Sequence, residues 1–171
     1  TGAPQPAPAP LFVLFHGLEG SSRSHYARSL MQAASARGWR GVVPHFRGCS
    51  GTPNRLPRAY HSGDSDEIDW ILRRLQQLAG GAPMFAAGVS LGGNALLKWL
   101  GERGTAAREV VDAAAAICAP LDLTLSGYAL GEGFNRVYTR HFLATLRAKA
   151  LAKCEHHPGR FDATRIAGAR S

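Results

Sequence analysis

Long hydrophobic runs are absent from this 171-residue chain: no apolar stretch approaches the ~18 residues that a bilayer-spanning helix needs. The residues near Thr1 show no signal-peptide layout, since they do not combine basic, apolar and small-residue regions. Cysteine is scarce. Cys49, Cys118 and Cys154 form no CxxC pair and no metal-ligand spacing, which excludes a disulfide framework. An odd set of unpaired thiols points to a reducing, cytoplasmic compartment. Acidic residues are few, 12 against 20 Lys and Arg, for a formal charge of +8. Those bases are scattered along the chain and not interleaved with aromatics. No nucleic-acid-binding motif accompanies them, so a nucleic-acid partner is not expected. Attraction to an anionic substrate or a membrane surface stays open. Internal repeats are missing.

What is present is a globular composition, 45 % hydrophobic, long enough for one real core. The chain opens with TGAPQPAPAP, a Pro/Ala segment that reads as an extended linker over residues 1–10. A chain that starts this way is expected to lack its true beginning. Five apolar residues, Leu11–Phe15, then predict a strand buried on both faces. A glycine-rich loop, His16–Gly20, follows. A helix is predicted from about His25 to Arg37, capped by Ser24, with Tyr26, Leu30, Ala33 and Ala34 on its apolar face. Gly41–Pro44 reads as a second strand. A helix beginning near Ser65 carries Ile68, Ile71, Leu72, Leu75 and Leu78 on one side. Val110–Cys118 is a further strand. Alternating strands and helices argue for a mostly parallel α/β sheet over residues 11–122. From Leu123 the pattern changes: Tyr128–Gly133 reads as loop and Phe134–Lys153 as a basic helix. That segment, 123–171, suits a lid, a helix at a lipid surface, or an ordinary surface helix.

The stretch with most chemical content is Met84–Leu97. A short apolar strand runs into Gly88-Val89-Ser90-Leu91-Gly92 and then into helical residues. This layout is that of a nucleophile elbow, in which a cramped turn lifts a serine hydroxyl toward a pocket. Gly88 and Gly92 are there because the turn leaves no room for side chains. Ser90 is the nucleophile candidate, and the Leu91 amide, at a helix start, is a candidate oxyanion donor. The second donor is expected from the loop after the earlier strand. There Gly17 permits close backbone approach, and Leu18 supplies the amide. His16 precedes Ser90, whereas this kind of site orders its triad Ser, acid, His, so His16 is read as shaping the loop. Asp112, Asp122 and Asp162 are the acids after Ser90 considered for the triad, and His141, His156 and His157 the histidines. Adjacent His156 and His157 also raise a metal pair, but no Cys or carboxylate pattern completes it, and no metal is expected.

Taken together, HGLEGSSRSHYA (16–27), GWRGVVPHFRGCSG (38–51), NRLPRAYHSGD (54–64), GVSLGGNALLKWLGE (88–102), APLDL (119–123) and FNRVYTRHFLATL (134–146) resemble the YheT-like α/β-hydrolases, AB hydrolase family four. The resemblance covers nearly everything from Leu11 on. It implies an α/β-hydrolase fold with a helical cap insertion, and serine-dependent hydrolysis of carboxylic esters that are acyl or lipid-like. It implies Ser90 as nucleophile, Leu18 and Leu91 as oxyanion donors, and no cofactor. It also implies a departure. Family members are about twice as long, with an acid on a late strand and a catalytic His in a Gly-Gly-His context, and neither that context nor the family's first strands occur here. The chain is therefore expected to be a fragment, inactive or nearly so by itself and poorly stable. The alternative is a non-catalytic product kept as a binding or interaction module. Oligomeric state is not read from the sequence.

Overall fold

A computed structural model describes residues 8–169, so the first seven residues of the Pro/Ala segment lie outside it. Four strands form one sheet: β1 (Leu11–Phe15), β2 (Arg40–Val42), β3 (Met84–Val89) and β4 (Ala113–Ile117). All neighbours are parallel and the order is β2-β1-β3-β4. Between them run α1 (His25–Ala36), α2 (Ser65–Ala79) and α3 (Leu91–Arg103). After the sheet come α4 (Leu123–Leu130), α5 (Arg136–His156) and α6 (Ala163–Gly168). Two short 3-10 turns, Gly104–Glu109 and Gly133–Asn135, complete the elements.

The chain divides into two compact units. One holds the sheet with α1 to α3, from the residues up to His45 and from His61–Ala119. The other joins Phe46–Tyr60 to the helical part from Pro120 onward. Eleven of the twenty Lys and Arg, but only four of the twelve Asp and Glu, fall in the helical unit. Bases that look evenly spread along the sequence thus leave that unit with +7 of the chain's +8.

In the sheet unit, successive strand residues point to opposite faces. Leu14 and Ala87 are buried with Ala27 of α1, flanked by Phe12, Tyr26, Leu30 and Met31. The next residue, Gly88, lies against Gly92 and Gly93 of α3, so α1 and α3 cover opposite faces. Ile68, Leu72, Leu96 and Trp99 are fully buried where α2 and α3 meet. Leu78, expected on that apolar face, is exposed, although Ala79 beside it is buried.

Asp69 ties these two helices together. It accepts the Trp99 indole N–H at 2.8 Å and faces Arg73 and Arg103, each at 3.0 Å. Partial burial pushes its pKa up. The bonds from Trp99 and Arg73 and the charges of Arg73 and Arg103 outweigh that and hold it below its ordinary 3.8. A lowered folded pKa means the stabilisation is whole above about pH 4 and is lost as pH falls through the folded value. Asp69→Asn keeps an acceptor for Trp99 and flattens the acid slope of stability. Asp69→Ala strands a buried N–H and costs about 1–3 kcal/mol. Urea titrations at pH 7 and pH 3.5 check both results.

Three stretches differ from the sequence expectations. The second strand is Arg40–Val42, not Gly41–Pro44. Val110 and Val111 are buried beside the 3-10 turn and do not belong to the strand, which starts at Ala113. Residues 123–130, read partly as loop, form α4, started by the Asp122 carboxylate, which accepts the Leu125 amide at 2.9 Å. In the helical unit, α5 does not turn all its bases to water. The Lys153 ammonium reaches the carbonyls of Leu56 at 2.7 Å and Asn54 at 3.5 Å, and burial lowers its pKa. Lys149 Nζ lies 3.7 Å from Cys49 Sγ. No helix among the described residues is long and apolar enough to cross a membrane.

β4 combines the composition of a central strand with the place of an edge. Ala113–Ile117 is wholly apolar and exposed along its length. An uncovered apolar edge is a template for pairing with other chains. The 171-residue chain alone is expected to associate as its concentration rises, which gel filtration across a dilution series checks.

Candidate active site

Strand order locates the site. From β1 the chain moves outward to β2, and from β3 it moves the other way to β4. The direction reverses between β1 and β3, and open α/β sheets bind ligands at the carboxyl ends of strands at such a switch point. The register pairs Leu11 with Met84 and Phe15 with Gly88, so the loops leaving both strands start at the same level. One begins at His16, the other is the turn at Ser90.

Ser90 occupies a one-residue turn between β3 and α3, with φ 53° and ψ −118°. A non-glycine residue rarely adopts this conformation, and it persists only when the surroundings impose it. Here they do. The Ser90 N–H donates to the Ile117 carbonyl at 2.9 Å, extending the sheet, while its carbonyl accepts the Asn94 amide at 2.9 Å, starting the helix. The Ser90 side chain makes no hydrogen bond among the described residues. The Leu91 amide lies in the first turn of α3, where helix N–H groups lack intrahelical acceptors.

Glycines allow the close approach. A Cβ on Gly88 would stand 2.4 Å from the Gly92 carbonyl oxygen, and one on Gly92 would stand 2.4 Å and 2.5 Å from the carbonyls of Phe15 and His16. Gly93, not singled out in the sequence, is also constrained, less tightly: its Cβ would lie 2.9 Å from the Gly88 oxygen and 3.0 Å from Ala119 Cβ.

The loop after β1 reaches the same spot. A Cβ on Gly17 would be 3.3 Å from Ser90 Cβ. The loop folds back as a turn in which the Gly20 N–H donates to the Gly17 carbonyl at 2.9 Å, with Glu19 at φ 55°. His16 is fully buried, and its Nδ1 pairs with the same Gly17 carbonyl at 2.8 Å. Its ring meets that of His45 edge-on at 5.9 Å. His45 Nε2 accepts the Ser22 N–H at 2.9 Å and lies 3.0 Å from the Ser22 hydroxyl, bracing the far end of the loop. The Gly17 N–H donates to the Tyr26 hydroxyl at 2.9 Å. Sequence reasoning missed both braces, because Tyr26 falls on the apolar stripe of α1 and His45 lies 23 residues from its partner.

The sequence-predicted residues His16, Gly17, Gly88, Ser90, Leu91 and Gly92 thus meet at one end of the sheet, and Leu18 sits in the adjoining loop. The three aspartates after Ser90 are employed elsewhere. Asp112 accepts the Met84 amide at 2.8 Å, at the far end of β3, while Asp122 and Asp162 cap α4 and α6. His156 Nδ1 bonds the Ala152 carbonyl at 2.7 Å. No group of three His, Cys, Asp or Glu able to hold a metal ion occurs among the described residues.

A parallel sheet flanked by helices on both faces, with a strained serine at its switch point, defines the α/β-hydrolase class, and the family described as alpha/beta hydrolase fold matches residues 10–163. The chain belongs to that family. Within it, the chain is 50 % identical over 150 residues to "Putative esterase YheT" of Escherichia coli (strain K12), covering 88 % of this chain and 44 % of that protein. It is 29 % identical to "Embryogenesis-associated protein EMB8" of Picea glauca, over 97 % of this chain and 37 % of the relative. It is also 29 % identical to "Phospholipase ABHD3" of Mus musculus, over 86 % of this chain and 35 % of the relative. The chain spans less than half the length of these curated relatives.

Proposed function

We propose that this polypeptide is the nucleophile-bearing part of a serine hydrolase acting on small carboxylic esters, acyl or lipid-like in character, in the cytoplasm. The observation that carries the proposal is the strained Ser90 turn, held between β3 and α3 with its Cβ side against Gly17. On this reading the turn is a nucleophile elbow. The Ser90 oxygen attacks the ester carbonyl while a base takes its proton. The resulting oxyanion accepts hydrogen bonds from the Leu91 and Leu18 amides. Collapse expels the alcohol, which takes the proton from the base, and leaves an acyl group on Ser90. Water then attacks that ester by the same route in reverse and releases the acid.

The base and its orienting acid are supplied by polypeptide beyond these 171 residues. Support comes from Asp112, Asp122 and Asp162, whose carboxylates are spent on backbone amides. A serine without its base retains only ~10³–10⁴-fold catalysis over water, from binding and the oxyanion hole. The 171-residue chain alone is therefore inactive in ordinary assays. Esterase and lipase names among the relatives agree with this chemistry.

A fluorophosphonate probe tests the proposal. The full-length protein is expected to label rapidly at Ser90, and the 171-residue chain to label slowly or not at all. Rapid labelling of the short chain would show that base and acid lie within it. No labelling of Ser90 in the full-length protein would remove the hydrolase reading.

A further inference from the structure

We propose that Tyr26 is a positioning residue for the oxyanion site, acting through its hydroxyl on the loop that carries the Leu18 amide. The inference rests on the serine-hydrolase reading and adds to it a residue that touches neither substrate nor Ser90.

The geometry is specific. Gly17 is buried, and its N–H needs a partner that water does not supply. Tyr26 Oη is that partner, at 2.9 Å. On the other side of Gly17, its carbonyl is held twice, by the Gly20 amide at 2.9 Å and by His16 Nδ1 at 2.8 Å. A trans peptide is planar, with its N–H opposite its C=O. Pinning the Gly17 oxygen therefore fixes the direction of the Leu18 N–H, which must point away from Gly20 and the His16 ring. Tyr26 holds the preceding peptide unit, which carries the Gly17 N–H, and so fixes the plane from which the Gly17–Leu18 unit departs while removing the Gly17 N–H as a competing donor. It also fills the space inside the turn, since a Cβ on Gly20 would stand 2.7 Å from the hydroxyl. Tyr26 belongs to α1, and its ring packs with the buried Leu14, Ala27 and Ala87 cluster. The hydroxyl is thus anchored to the core while it steers a catalytic loop.

Tyr26→Phe separates these roles, because it keeps the ring and deletes the hydroxyl. In full-length protein with a p-nitrophenyl ester, we expect kcat to fall tenfold or more and KM to stay within twofold. The fluorophosphonate labelling rate should fall by the same factor as kcat. Leu30→Ala is the control. It thins the same cluster, is expected to lower Tm more than Tyr26→Phe, and should leave kcat within twofold. A Tyr26→Phe protein with kcat and labelling rate within twofold of wild type overturns the inference while the Ser90 assignment stands. Labelling of a Ser90→Ala protein at the wild-type rate overturns the assignment itself. Should Tyr26→Phe fail to fold, hydrogen exchange on the wild type decides. Slow exchange of the Gly17 amide supports the tether, and exchange at the unprotected rate refutes it.

Discussion

On the proposed serine-hydrolase reading, Ser90→Ala is expected to remove ester hydrolysis from the full-length protein. The expected loss in kcat/KM is on the order of 10⁴-fold or more, because the nucleophile and its base act as a unit and removing either disables both. KM for the ester should change little, since the hydroxyl forms its bond only on the way to the tetrahedral state. A companion variant distinguishes chemistry from folding. Ser90 holds φ 53° and ψ −118°, a conformation costly for any residue with a Cβ. Ser90→Gly relaxes that strain, so it should be as inactive as Ser90→Ala and more stable than wild type by about 1 kcal/mol. Rising stability with vanishing activity is the signature of a residue placed for function at a cost to the fold. Urea unfolding curves beside initial rates read both quantities. A Ser90→Gly protein less stable than wild type would mean that the turn is not under strain.

The second large effect is expected at Gly92, and it falls on the fold. The methyl group of Gly92→Ala would lie 2.4 Å from the Phe15 carbonyl oxygen and 2.5 Å from that of His16. Both obstacles are backbone, and neither can rotate aside as a long side chain would. Phe15 is paired in register with Gly88, so moving it opens the junction of β1 with β3 as well as the turn. A destabilisation of about 3 kcal/mol or more is expected, beyond the usual cost of one extra methyl in a packed core. Gly101 lies in the same helix, and a methyl group there would meet nothing within 4 Å. Gly101→Ala should therefore be neutral or slightly stabilising. Tm values of the two variants, measured side by side, check the contrast. Equal shifts would mean that helix propensity, not the tight turn, sets the need for glycine at 92.

The parts of this architecture that were legible from residues alone were those governed by local pattern. Leu11–Phe15 announces a strand covered on both faces because five apolar residues leave no side for water, and four of them are buried. Ser65–Ala79 shows its apolar stripe and its Gly80 stop, and Gly80 is left-handed. Gly88-x-Ser-x-Gly92 between an apolar run and a helical one marks the turn. The segment LTLSGYAL at 123–130 hid its helix, since Ser126 and Gly127 break the periodicity, yet Asp122 stood three residues before the amide it caps. Long-range partners left no local trace. Nothing in sequence pairs Asp69 with Trp99, 30 positions apart, or Lys153 with the 54–56 carbonyls. At the site, the serine and its glycines were legible because backbone crowding dictates their identity. The Tyr26 and His45 braces were not, because a hydroxyl or imidazole does not signal which distant amide it serves.

The proposed function turns on Ser90 forming a covalent bond to a substrate carbonyl carbon. The most direct measurement is acid quenching of the full-length protein during turnover of a slowly deacylating ester, followed by mass spectrometry of its peptides. The account predicts that the peptide containing Ser90 gains the mass of the acyl group, with the modification localised to that serine. An acyl group found on another residue, or hydrolysis proceeding with no acylated peptide at any quench time and at full rate in Ser90→Ala, would contradict it.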